Sequence, residues 1–169
     1  HLVLAGGGHT HALILQRWCM QPRLRPKGLI TLVNRNSTTI YSGMVPGLIA
    51  GDYSISDVLI DLRALSSKAG VAFVVGEIIG LNVANDCILI KDRPPIGYTK
   101  ISLDVGSETF ISEEVLADDK EDIVVAIKPL NRALKWIKEQ DQDACLTAHK
   151  PFTVVGSGLT AIEVALALR

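Results

Sequence analysis

Leu2-Val3-Leu4-Ala5-Gly6-Gly7-Gly8-His9-Thr10-His11-Ala12-Leu13-Ile14-Leu15 decides the fold. A short apolar run meets three glycines, and from Ala12 to Met20 good helix formers follow without a breaker. The order reads as strand, tight turn, helix. Gly6 and Gly8 let the backbone turn sharply and approach a diphosphate, whose charge sits on the free N–H groups and positive dipole end of the next helix. The element is a dinucleotide cradle, with His11 standing where the G-x-G-x-x-G fingerprint has its third glycine.

A second copy strengthens the reading. Phe152-Thr-Val-Val-Gly-Ser-Gly-Leu-Thr-Ala-Ile-Glu-Val-Ala-Leu-Ala-Leu168 repeats the design, with Gly156, Gly158 and Ala161 at the three fingerprint positions. Two cradles about 150 residues apart, roughly one domain length, point to a flavin in one and a nicotinamide in the other.

The totals exclude several classes of partner. A net charge of −1 and a pI near 6.5 provide no basic patch for nucleic acid and no polybasic membrane signal. At 48% hydrophobic the composition suits a buried α/β core, yet no apolar run approaches the roughly 18 residues of a membrane span. The three cysteines (Cys19, Cys87, Cys145) form no C-x-x-C pair. That argues for a reducing compartment, hence a cytoplasmic protein, and against a redox dithiol. The sequence opens at His1 and stops at Arg169 inside a helix, so the second unit is expected to be truncated.

Along the chain, Leu29–Val33 reads as the second strand. The residue closing it faces the adenosine ribose in a doubly wound sheet and is usually an acid; here it is Asn34, about 20 residues past His11. Arg35 beside it can stack on adenine or meet a 2′-phosphate, or Asn34–Ser37 is an ordinary polar turn. The apolar run Ile40–Gly51, cut by glycines and a proline, reads as a functional loop or as a packed connection. A helix is expected from about Ser56 to Gly70, with Leu59, Leu62 and Leu65 on its apolar face. Val71–Val75 is a strand; Glu77–Val83 and Cys87–Ile90 alternate like an antiparallel hairpin; Arg93–Gly97 reads as a turn. Lys100–Val105 returns as a strand and ends in Gly106-Ser107. Asp118–Asp122 is a charge run of a solvated face, and Leu130–Glu139 a short amphipathic helix carrying Trp136.

With these pieces placed, the chain resembles the FAD/NAD(P)-binding pyridine nucleotide-disulfide oxidoreductases, and within them the type II NADH dehydrogenase-like branch. Leu32-Val-Asn-Arg-Asn36, the Tyr41–Gly51 loop, Ile60-Asp-Leu-Arg63, Phe73-Val-Val-Gly-Glu-Ile78 and Gly106-Ser107 carry that resemblance. Residues 6–11, 41–47, 92–95, 103–107 and 127–130 are similar to the flavoprotein domain found fused to selenide, water dikinase. The resemblance implies an α/β fold: an FAD-binding Rossmann-like parallel sheet with an antiparallel β-meander over residues 1–129, a connecting helix and linker over 130–150, and the start of an NAD(P)-binding domain over 151–169. It also implies an FAD with its diphosphate over Gly6, Gly8, His9 and Thr10, its ribose near Asn34 and Arg35, and its adenine against Glu77 and Ile78. Gly106 would close over the diphosphate, Ser42 and Gly43 would lie near the isoalloxazine, and Gly156, Gly158, Ala161 and Glu163 would receive NADH or NADPH.

Departures from the pattern stand at His11, Asn34 and Asp104-Val105, the last replacing the usual Ala-Thr before the glycine. His9 and His11, two apart on a helix, do not share a face and have no third ligand at metal spacing, so capping or packing roles are expected. Lys128 is either a cation beside the flavin or a surface lysine. The activity implied is an FAD-dependent NAD(P)H oxidoreductase, passing hydride from nicotinamide to flavin and on to a quinone or other small-molecule acceptor. It would serve a fused selenide, water dikinase domain or touch a membrane peripherally through sequence beyond Arg169. Two alternatives stay open: a nucleotide-binding regulatory or docking module without turnover, and a plain dehydrogenase with NAD(P) in the first cradle. The meander and the Gly106-Ser107 ending count against the second.

Overall fold

The computed structural model describes residues 1–119, 124–130, 132–136 and 153–168. In chain order the first elements are β1 (Leu2–Ala5), α1 (His9–Met20), β2 (Ile30–Asn34), β3 (Thr38–Ile40), α2 (Val45–Ala50), α3 (Ile55–Val58), β4 (Leu59–Asp61) and α4 (Leu62–Lys68). There follow β5 (Ala72–Val75), β6 (Ile78–Asn82), β7 (Cys87–Ile90), β8 (Arg93–Gly97), β9 (Lys100–Leu103), α5 (Glu113–Asp118), a helical stretch α6 (residues 132–136) and α7 (Leu159–Ala167). Two compact units contain them, one of His1–Tyr41 with Leu59–Gly106, the other of Ser42–Val58 with Ser107–Arg169.

In the first unit, β1, β2, β5 and β9 form a parallel sheet in the order β5-β2-β1-β9. Both faces of its central strands are buried, which is why β1 and β2 read as near-continuous apolar runs rather than alternating ones. On one face Leu4, Ile30 and Leu32 pack with Ala12, Leu15 and Trp18 of α1 and with Leu62 of α4. On the other, Val3, Ala5 and Val33 pack with Ile88 and Ile90 of β7. The antiparallel sheet β6-β7-β8 thus covers the face that a crossover helix would otherwise cover. Each fully buried Leu or Ile contributes roughly 1.5–3 kcal/mol against solvent exposure.

Three expectations about local structure are corrected. The helix expected from Ser56 is interrupted: Leu59–Asp61 is β4, paired antiparallel with β3 through Thr38↔Asp61, Thr39↔Ile60 and Ile40↔Leu59. The β-branched residues of β3 and Ile60 favour the pleat. Asp61 then caps a new helix by accepting from the Ala64 N–H at 2.9 Å, while Ser37 O accepts from Leu62 N–H at 2.9 Å. Arg93–Gly97 is the strand β8 rather than a turn; the reversal falls just before it, where Asp92 has φ +55. Pro94 and Pro95 are tolerated because β8 is an edge strand whose register shifts between Ile88 and Ile90 of its partner. The second cradle's leading strand is not formed over residues 153–155, where no strand among the described residues supplies ladder partners.

In the second unit, Ser42–Met44 is a 3-10 turn leading into α2, so the Ile40–Gly51 run is more helical than its composition suggested. Pro46 sits in the first turn, where its missing N–H costs nothing, and Gly51 closes α2 in the left-handed conformation at φ +85. Gly47 is required by packing: a Cβ there would lie 2.6 Å from the Tyr53 ring. Ser112 caps α5. Of the charge run, Asp118 ends α5, whereas residues 120–122 lie outside the described residues, as do 131 and 137–150 of the expected linker. No helix among the described residues is long and apolar enough to cross a membrane.

Candidate functional site

The carboxyl edge of the first unit's sheet is where a doubly wound fold binds its ligand. The register Ala5↔Val33 and Ala5↔Leu103 brings Gly6 level with Asn34 and Asp104. The ladder runs one residue past the strands: Gly6 N–H donates to Val33 O at 2.8 Å, and Asp104 N–H to Ala5 O at 2.8 Å. Gly6 has φ +93, and a Cβ on it would lie 2.2 Å from Asp104 O, so only glycine fits the turn. Gly8 is the N-cap of α1, extended at φ −70 and without a side chain to cap the helix.

A helix start leaves four N–H groups without intrahelical partners. Gly8 N–H donates to Asp104 O at 3.1 Å, and His11 N–H to the Asp104 carboxylate at 2.9 Å. Among the described residues, the His9 and Thr10 N–H groups have no hydrogen-bond partner, and both residues are exposed. Two open backbone donors at the positive end of a twelve-residue helix, behind a glycine turn, fit a diphosphate.

His11 does not spoil the cradle. Its ring is fully buried, with Nδ1 2.7 Å from Gly6 O and Nε2 2.8 Å from Ser102 Oγ. A carbonyl only accepts, so Nδ1 donates to Gly6 O, and Nε2 is hydrogen-bonded to the Ser102 hydroxyl. The imidazole therefore bolts α1 to both β1 and β9, filling the space that a third glycine would close by direct approach. His9 is separate from it, stacked on Tyr41 with ring centroids 5.0 Å apart and planes at 18°. Neither Ser102 nor Tyr41 could have been picked from the sequence, being 91 and 32 positions away from their partners.

The next strand ends lie beside the glycine turn. Asn34 Oδ1 accepts from Gly7 N–H at 2.8 Å and its Nδ2 donates to Asn36 O at 2.9 Å. The amide holds the glycine loop in place, a task that needs both an acceptor and a donor and that an acid would fulfil only by half. Arg35 pairs with Glu77 at 2.8 Å, and Lys91 reaches the same carboxylate at 4.0 Å. Gly76 N–H donates to Asn34 O at 2.9 Å, tying the β5 end, and with it Glu77 and Ile78, to the β2 end. Gly106 has φ +82 and open space around its Cα, three residues past β9.

The first unit thus brings together Gly6, Gly8, His9, Thr10, Asn34, Arg35, Glu77, Ile78 and Gly106. Ser42 and Gly43, exposed in the 3-10 turn, belong to the second unit, as do Gly156, Gly158, Ala161 and the exposed Glu163. There Gly158 caps α7, and a Cβ on Gly156 would lie 3.2 Å from Ala161 Cβ, so the first and third fingerprint positions pack closely. Lys128 Nζ donates to Ser107 Oγ at 3.1 Å.

No family model matches the chain. It is 25% identical over 169 residues to the NADH dehydrogenase-like protein YutJ of Bacillus subtilis (strain 168), an alignment covering 99% of this chain and 44% of that protein. The chain therefore spans less than half the length of this relative. Among solved structures, it is similar to the water-forming NADH oxidase of Lactobacillus brevis (TM-score 0.72, 17% identity, 99% of this chain and 36% of that one). It is also similar to the sulfide:quinone oxidoreductase of Aquifex aeolicus (TM-score 0.66, 19% identity, 87% and 33%). These likenesses establish the fold as the Rossmann-like α/β arrangement.

Proposed function

We propose that this chain is the flavin-side portion of an FAD-dependent NAD(P)H oxidoreductase of the NADH dehydrogenase-like kind. The observation that carries the reading is the pair of unengaged N–H groups, His9 and Thr10, at the N-terminus of α1 behind the Gly6–Gly8 turn. The meander on the other face of the sheet supports a flavin rather than a nicotinamide in this cradle. The resemblance in sequence to an NADH dehydrogenase-like protein over nearly the whole chain points the same way.

FAD, when bound, supplies a two-electron acceptor for a nicotinamide hydride and a donor to the terminal oxidant. The chain's own residues bind and orient it. His9 and Thr10 N–H meet the diphosphate, and the Arg35–Glu77 pair borders the adenosine end. Asn34 keeps the loop rigid and retains one amide hydrogen and one lone pair for the ribose. Gly156, Gly158 and Ala161 receive NADH or NADPH, with Glu163 near the nicotinamide end. The further assignments rest on motif resemblance: a quinone or another small molecule as acceptor, a fused selenide, water dikinase as partner, and a cytoplasmic setting with or without peripheral membrane contact. The sulfide:quinone oxidoreductase likeness favours the quinone.

The test is to purify the protein at its full natural length, denature it, and assay the supernatant for FAD by mass and absorbance. Stoichiometric FAD is expected. Absence of flavin, even after reconstitution with excess FAD, would overturn the proposal in favour of a module that binds another nucleotide or none.

A further inference from the structure

In the fingerprint, the second glycine is there so that the ligand's diphosphate can approach the backbone. In this chain, that space holds a side chain. A Cβ on Gly8 would lie 2.3 Å from Asp104 Oδ1, 2.4 Å from its Cγ and 2.6 Å from its Oδ2. The same carboxylate takes the His11 N–H at 2.9 Å, one of the donors at the helix start. Two separate observations, the filled glycine space and the occupied helix donor, place one anion where the diphosphate belongs.

Asp104 is held there from several sides. Its backbone N–H is bonded to Ala5 O, its carbonyl to Gly8 N–H, and the flanking Ser102 is bonded to the buried ring of His11. Among the described residues no lysine, arginine or histidine forms a salt bridge with it. The helix end faces this charge through the His11 N–H.

We propose that Asp104 is an internal anion seated in the diphosphate position of the first cradle and that it sets how tightly this chain holds a dinucleotide. The inference rests on the reading of this cradle as the FAD site. A ligand bearing a diphosphate must swing the carboxylate off Gly8 or bind beside it, directed to the His9 and Thr10 N–H groups. Like charges a few ångströms apart in a partly hydrated cleft repel by an amount that converts to about tenfold or more in affinity. A ligand with no phosphate meets no such penalty. The cradle therefore holds a dinucleotide less tightly than it would with a neutral residue at position 104.

The experiment compares wild type, Asp104→Asn and Asp104→Ala as full-length apo-protein, titrated with FAD and with riboflavin by quenching of flavin fluorescence. Asp104→Asn keeps an acceptor for His11 N–H and removes the charge. FAD should bind about tenfold tighter to both variants, riboflavin should be unchanged within about twofold, and the apo-protein melting temperature should fall for Asp104→Ala only. FAD affinity equal to or weaker than wild type in both variants overturns the inference while leaving the FAD reading intact. Loss of the fold in Asp104→Asn also overturns it, because a neutral acceptor should replace a carboxylate whose effect is electrostatic. No flavin binding by any of the three proteins removes the FAD reading, and the inference with it.

Discussion

The two glycine cradles share a sequence design and differ in what surrounds it. In the first, every glycine is walled in: Gly6 by the Asp104 backbone, Gly7 by Leu62 and the Asn34 amide, Gly8 by the Asp104 carboxylate. In the second, among the described residues, Gly158 has nothing within 4 Å and Gly156 meets only Ala161, while Val155 is 92% exposed. A fingerprint therefore specifies a turn, whereas a site is made by the strands that flank it. The first cradle has β2 and β9 on either side of β1; residues 153–155 have no such neighbours among the described residues.

Substitution at matched glycines should expose that difference most strongly. Gly6→Ala puts a Cβ against backbone at a positive φ, and the first unit should lose about 3 kcal/mol or more in urea unfolding. Gly158→Ala should cost about 1 kcal/mol or less, because no described residue is displaced. Equal costs would mean that the two cradles are equally built. His11→Ala comes next: losing a buried ring with two hydrogen bonds should cost about 3 kcal/mol, and no position in the second cradle should match it. Glu77→Gln, which weakens the exposed pair with Arg35, should change stability by no more than about 1 kcal/mol.

The smallest effect concerns Asp57 in the second unit. The hydrogen bonds from the Ser54 hydroxyl, at 2.6 Å, and the Ser54 N–H, at 2.8 Å, hold its carboxyl below the ordinary carboxylate value. A folded-state pKa that is depressed stabilises the fold above the unfolded value, near 3.8, and the contribution is lost as pH falls through the folded one. Melting curves of wild type and Asp57→Asn should therefore diverge above about pH 4 and converge in more acidic buffer. Curves that stay parallel would show that the Ser54 contacts are absent in solution.

Much of the first unit was legible because its signals are local. The Leu2–Ala5 strand and the Cys87–Ile90 strand lie where apolar patterning placed them, and the turn at residues 83–86 follows Asn and Asp residues, with Asp86 at φ +47. What sequence could not show depends on partners far along the chain. Leu59 reads as one residue of a helical face until β3 offers it a ladder. His11 reads as a departure from the fingerprint, and its role follows only once Ser102 and Gly6 O are placed on either side of it. Asp104 was visible as a departure from Ala, but its position over Gly8 follows only from the register of β9 on β1.

The most direct test of the account is an anaerobic titration of the purified full-length protein, loaded with FAD, with NADH and in parallel with NADPH. The account predicts loss of the oxidised-flavin absorbance at one equivalent of one of the two nucleotides. A bound flavin that neither nucleotide bleaches would contradict the pairing of the two cradles in one oxidoreductase.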